Sequence, residues 1–204
     1  MITFLNPASP FLTSSSVMPP LGLFYLSAVL KEKGIRAQII DLGLGEEIPE
    51  GDLYITGTTP QEKEILSLQR QSYMVLGGPH ASVNYENLRE KFSLVVKGEA
   101  EDVIEFIVRH KPRGFVHARR IVDLNKLPFP DRSTAFKYDY CINERRATTV
   151  MTSRGCTGKY SFFQNWRMSP TLLLLKLNQV GYKARQLIPF KKSLKRLALA
   201  LRIY

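Results

Sequence analysis

The chain has 204 residues, 44% apolar, 10% aromatic and 23% charged, a balance that suits a folded domain with a real core rather than a disordered or fibrous chain. No apolar run of about 18 residues occurs, so no membrane-spanning helix is expected, and the opening stretch MITFLNPASP lacks the basic n-region of a secretory signal. Cys141 and Cys156 are the only two cysteines, which argues against a disulfide framework and for a reducing, cytoplasmic setting. The net charge of +11 is unevenly placed: residues 1–150 hold 18 Lys plus Arg against 18 Asp plus Glu, while residues 151–204 hold 11 basic side chains and no acidic one.

In chain order, Ile2 to Leu5 reads as a buried first strand that stops at Asn6-Pro7. A loop rich in Pro and Ser follows, and Leu21 to Lys33 carries apolar residues at helical spacing, with Pro19-Pro20 before it and Gly34 after it. Arg36 to Leu42 and Leu53 to Gly57 read as the second and third strands. Gln61 to Gln69 gives a brief helix, and the connection 61–72 is short for a full crossover, so that element is expected to be reduced. Tyr73 to Leu76 is a fourth strand closed by Gly77-Gly78-Pro79-His80. A short helix near Asn84 to Lys91, a fifth strand Leu94 to Lys97 and a helix over Ala100 to His110 complete the run.

Short, uninterruptedly apolar strands that alternate with helices imply a parallel sheet covered on both faces. Right-handed crossovers make it an α/β doubly wound (Rossmann/flavodoxin-like) parallel five-stranded sheet, with strand order 2-1-3-4-5 expected. Residues 1–112 form this domain. Residues 113–146 read as a linker, where prolines across Asp123 to Arg132 block regular structure. Residues 147–204 begin with a further expected strand, Ala147 to Thr152, and then lose a clear pattern; helices are expected over Leu172 to Val180 and Ser193 to Ile203.

Ligands of such sheets bind outside the carboxyl ends of the strands. Three loops there are rich in Gly or Thr: Thr56-Gly-Thr-Thr-Pro60, Gly77-Gly-Pro-His80 and Lys97-Gly-Glu99. Glycine lets backbone approach a ligand, and threonine hydroxyls can hydrogen-bond one. Taken singly, each is also a tight turn of the kind any such fold needs.

Taken as an ordered set, Pro19-Pro-Leu-Gly-Leu-Phe-Tyr-Leu-Ser-Ala-Val-Leu-Lys31, Ile55-Thr-Gly-Thr-Thr-Pro-Gln61, Val75-Leu-Gly-Gly-Pro-His-Ala-Ser82 and Val96-Lys-Gly-Glu-Ala-Glu101 resemble the N-terminal cobalamin-binding domain of cobalamin-dependent radical S-adenosylmethionine enzymes. Leu127-Pro-Phe-Pro-Asp-Arg132 resembles that family's linker, and Thr149-Val-Met-Thr-Ser-Arg-Gly-Cys156 resembles the start of its catalytic barrel, here an incomplete fragment. The resemblance spans about residues 1–163. It implies a corrinoid lying across the carboxyl ends of the sheet, lined by Thr58, Thr59, Gly77, Gly78, Pro79, His80, Gly98 and Glu99, with its nucleotide tail among the strands. Other cobalamin proteins carry an Asp-x-His-x-x-Gly loop whose histidine ligates cobalt. His80, His110 and His117 lack that context, so His80 is expected to be a turn histidine that caps the next helix.

The catalytic motif of the family is Cys-x3-Cys-x2-Cys, whose thiolates hold a [4Fe–4S] cluster that binds S-adenosylmethionine; thiolates are the usual ligands of such clusters. Aligned on Cys156, the second and third positions are Tyr160 and Phe163. Cys156 is thus a remnant cluster ligand, and neither cluster nor radical chemistry is expected. The 41 residues after Phe163 are too few for a barrel. This stretch reads first as a broken or frame-shifted end. Its basic residues Lys191, Lys192, Lys195, Arg196 and Arg202 also suit contact with an acidic partner or anionic membrane surface, and nucleic acid comes last, so none is expected as a partner. Two functions follow: a methyltransferase-like corrinoid-binding module not active alone, or a ligand-free α/β interaction domain whose basic tail docks on an acidic surface.

Overall fold

A computed structural model describes residues 1–68, 73–133, 137–142, 144–149, 151, 153–154 and 171–172. Strands β1 (Ile2–Asn6), β2 (Ala37–Asp41), β3 (Leu53–Thr56), β4 (Met74–Gly77), β5 (Leu94–Lys97) and β6 (Gly114–His117) form one sheet in the order 2-1-3-4-5-6. Every adjacent pair in it is parallel. Helices α1 (Leu21–Glu32), α2 (Glu62–Ser67), α3 (Gly78–Leu88) and α4 (Ile104–His110) connect the strands. The chain is therefore an α/β doubly wound fold.

Strand alternation explains the unbroken apolar runs. Phe4, Ile39, Tyr54, Val75, Leu94 and Val96 enter one core with Leu23, Phe24 and Leu30 of α1 and Ile104 and Ile107 of α4. Their neighbours Leu5, Ile40, Leu53, Ile55, Met74, Leu76 and Val95 enter a second core with Ile65 of α2 and Ala81 and Leu88 of α3. Successive side chains leave opposite faces of a strand, so a strand covered on both faces has to be apolar at every position.

Four expectations change. The sheet has six strands where five were expected: β6, within the expected linker, adds an edge strand paired to β5 from Leu94↔Gly114 to Lys97↔His117. Its residues are mostly exposed, Phe115 included, so they lack the apolar continuity of the inner strands. Helix α3 begins at Gly78, not near Asn84, because Gly78-Pro79 opens it; a break at Asn84 (φ −111°, ψ 26°) separates its two halves. The expected strand Ala147 to Thr152 is irregular at its described residues. The Ala147 N–H bonds to the Tyr140 carbonyl, and Arg132 donates to the Thr148 hydroxyl and the Thr149 carbonyl. These groups find partners in the linker rather than in a sheet.

The reduced element is as expected: α2 has six residues. Beyond it, β7 (Cys141–Ile142) and β8 (Arg145–Arg146) pair as a small hairpin, and β9 (Ser153–Arg154) pairs with β10 (Thr171–Leu172). Leu172 is thus a strand residue; the rest of its expected helix, and the helix over Ser193 to Ile203, lie outside the described residues. Among the described residues, no helix is long and apolar enough to cross a membrane.

Two stability tests follow. Leu94 is fully buried in the core under α1 and α4, so Leu94→Ala is expected to cost about 2–5 kcal/mol in urea unfolding, against under about 0.5 kcal/mol for Phe129→Ala at an exposed site. Burial pushes the Tyr73 phenol up to about 12, with nearby Arg113 opposing the shift and Asp52 adding to it. Its folded pKa lies above the unfolded value near 10. The stability linked to that proton is complete below about pH 10 and lost as pH rises through about 12. Urea midpoints measured from about pH 9 to 12 are expected to fall across that window, and to fall less in Tyr73→Phe.

Candidate functional site

The carboxyl ends of β3, β4 and β5 bring all eight residues implied as corrinoid contacts onto one edge of the sheet. Thr56 and Gly77 are register partners, so the loops that follow them start side by side. Thr58, Thr59, Pro79 and Gly98 are exposed, Gly77, Gly78 and Glu99 half-buried, and His80 buried.

Hydrogen bonds between loops set this edge. The His80 N–H donates to the Gly57 carbonyl at 3.0 Å, joining the β4 turn to the β3 loop. The Ser82 hydroxyl donates to the Gly78 carbonyl at 2.9 Å and accepts from the Gly98 N–H at 3.0 Å, joining the β4 turn to the β5 loop. Gln61 spans the switch point between β1 and β3. Its Oε1 accepts from both the N–H and the hydroxyl of Thr58, each at 2.9 Å, while its Nε2 donates to the Pro7 carbonyl at 2.6 Å.

Two glycines at this edge carry different demands. Gly78 has φ +89°, and a Cβ there would stand 2.6 Å from the Thr56 hydroxyl and 3.2 Å from the Gly57 N and O atoms. Only glycine allows that approach without strain. Gly77 has an extended backbone (φ −131°), and a Cβ there would meet nothing within 4 Å. Open space therefore lies directly against the end of β4.

His80 was expected to cap the next helix; it is instead the third residue of α3, whose N-cap position is Gly77 and has no side-chain cap bond. Its Nδ1 lies 3.4 Å from the Thr59 hydroxyl. Its Nε2 is buried without a hydrogen bond among the described residues, 3.8 Å from a Glu62 carboxylate oxygen. The ring is 1% exposed, which turns it into the loop packing and away from the open edge.

Glu99 is engaged elsewhere. Its Oε2 accepts from the Ile121 N–H at 2.6 Å, and its Oε1 lies 3.5 Å from the Arg154 guanidinium. The end of β2 is also engaged: the buried Asp41 carboxylate accepts from Tyr140 Oη (2.6 Å), Asn6 Nδ2 (3.1 Å) and the Gly43 N–H (3.1 Å). Tyr138 Oη donates to the Ile39 carbonyl and accepts from the Asp41 N–H, both at 3.0 Å. The linker thus seals the β1/β2 end, and the open edge is that of β3, β4 and β5.

Beneath this edge, between the sheet and helices α1 and α4, is a cavity of about 50 Å³ reached by Thr56, Gly77, Gly78, Leu23 and Ile104. Such a volume suits a few waters; pockets for drug-sized ligands start near 300 Å³. The rim offers two exposed threonines and an unobstructed Gly77, the polar and open groups that the resemblance implies along a corrin edge. The cavity as it stands does not admit a nucleotide tail, so a tail requires α1 and α4 to move off the sheet.

Cys156 lies outside the described residues, and Cys141 is a partly buried free thiol in β7. Among the described residues, no three of His, Cys, Asp and Glu converge as a metal site. No protein-family model matches the sequence, and no curated protein matches it.

Gln61, Ser82, Tyr140 and Arg154 were not among the expected site residues. Gln61 and Ser82 fall inside the loop motifs but carry no glycine or threonine signal, and their partners are fixed only by strand order. A glycine pair also tests the geometry. Gly78→Ala is expected to lower stability by about 1–3 kcal/mol in urea unfolding, whereas Gly77→Ala is expected to change it by less than about 1 kcal/mol.

Proposed function

We propose that the α/β domain is a corrinoid-binding module of the kind that precedes the barrel in cobalamin-dependent radical S-adenosylmethionine enzymes. One observation carries the reading most: the three loops of the ordered motif set lie side by side at the carboxyl edge of β3, β4 and β5, with open space at Gly77. Ligands of doubly wound sheets bind at such edges.

In this reading Thr58, Thr59, Gly77, Gly78, Pro79 and Gly98 hold the ring. Thr58 gives its hydroxyl proton to Gln61, so its oxygen lone pairs face the ligand's amide donors. Thr59 is steadied by His80 from behind. His80 is too deeply packed to reach a metal over the edge, and the cobalt is held without a histidine from this chain. Bound cobalamin supplies a cobalt able to carry a methyl group, and the protein's share is holding and orientation. With Tyr160 and Phe163 standing where the cluster motif has cysteine, the chain holds the corrinoid but does not generate the radical.

The six-residue α2 and the small cavity favour a second reading, an α/β interaction domain without ligand. Visible-absorbance titration of the full chain with hydroxocobalamin separates the two. Saturable binding with a spectral shift is expected, together with at least tenfold weaker binding by Gly77→Leu, whose side chain fills the open space while urea stability stays near that of the parent. Absence of binding by a folded parent chain would sink the corrinoid reading and leave the interaction domain.

A further inference from the structure

Beside the open edge is a charged cluster that the corrinoid reading does not use. Arg154 is only 13% exposed at its side chain. Its Nη2 lies 2.6 Å from Glu101 Oε1, its Nη1 lies 3.5 Å from Glu99 Oε1, and its Cζ stands 4.9 Å over the face of the Tyr25 ring. The two carboxylates are themselves nearly buried, at 10% and 7%. Three elements meet here: Tyr25 comes from α1, Glu99 from the β5 loop, and Glu101 from the turn Ala100–Asp102 that leads into α4.

We infer that Tyr25, Glu99 and Glu101 form a guanidinium-recognition site on the α/β domain, filled in this chain by Arg154, through which the segment leading to Cys156 is docked. The chemistry selects guanidinium over a compact ammonium. A planar fork can serve two carboxylates at once while its face lies on an aromatic ring. Burial alone would oppose the charge of Arg154, yet Glu101 and Glu99 outweigh it and raise its pKa. Two buried carboxylates left without their cation are costly, so the site and its occupant stabilise each other.

Glu99 also accepts from the Ile121 N–H. One carboxylate therefore fastens two segments, the one after β6 and the one ending at Arg154. The site owes nothing to cobalamin, and Glu99 belongs to it rather than to a corrin amide.

Hydrogen exchange of the full chain, read at the Ile121 amide, tests this with methylguanidinium as probe and methylammonium as control. Arg154→Ala is expected to accelerate Ile121 exchange about tenfold while the amides of β1, β3 and β4 keep their protection. Millimolar methylguanidinium is expected to restore protection saturably, methylammonium not to, and Glu101→Gln in the same background to abolish the rescue. Unchanged Ile121 exchange in Arg154→Ala would overturn the inference, as would a loss that both cations, or neither, repair. Should Arg154→Ala open the whole sheet, the exchanged pair Arg154→Glu with Glu101→Arg decides. Near-parental protection supports the site, and exchange as fast as in Arg154→Ala overturns it.

Discussion

The open edge depends on one close approach, the packing of the β4–α3 turn against the loop after β3. Gly78 lets its backbone come within contact of Thr56 and Gly57, and the His80 N–H then closes onto the Gly57 carbonyl. Helix α3 begins at this turn, so the approach also aims the helix and places Ser82 where it can bridge Gly78 to Gly98. A side chain at Gly78 would part the two loops. The threonines of one loop would then no longer share a surface with the glycines of the next.

A second constraint narrows that surface. Parallel strands covered on both faces meet solvent mainly at their ends, and here the linker covers the β2 end. The Asp41 carboxylate has three donors, one of them Tyr140, and a buried carboxylate demands such company. Tyr138 adds two bonds to the backbone of β2. The chain that leaves β6 is therefore no slack tether. It runs along α1, where the Asp131 N–H bonds to the Phe24 carbonyl and its carboxylate pairs with Lys31, and it reaches β2 through its tyrosines.

Much of this was legible in the sequence, for physical reasons that can be named. Strands β1, β3 and β4 follow from their unbroken apolar runs, and the bounds of α1 follow from Pro20 and Gly34. Loops rich in Gly and Thr announced where backbone comes close. What stayed hidden depends on partners far apart in sequence. Nothing in the string around Arg154 points to Glu99 and Glu101, and nothing around Gln61 points to Pro7; strand order brings them together. Strand β6 was missed because an edge strand needs only half a covering, so Gly114-Phe115-Val116-His117 has no reason to be apolar throughout. The start of α3 was missed because Gly-Gly-Pro-His reads as a turn, while Pro79 in fact occupies the first turn of a helix, where a missing N–H costs nothing.

The small cavity and the short α2 bear on function together. A pocket of about 50 Å³ under Gly77 and Gly78 is lined by apolar side chains of the α1/α4 core, so widening it means exposing or displacing Leu23 and Ile104. That cost falls on the helices, whereas the loops at the rim keep their mutual hydrogen bonds whether or not the core beneath them opens. On the proposed corrinoid reading, a ring resting on Thr58, Thr59 and the glycine edge would need only the rim, whereas a tail would need the core to yield. Binding of the two parts is therefore separable in principle. The contribution of the tail should fall as the α1/α4 core is packed more tightly, because each increment of packing adds to what opening must overcome.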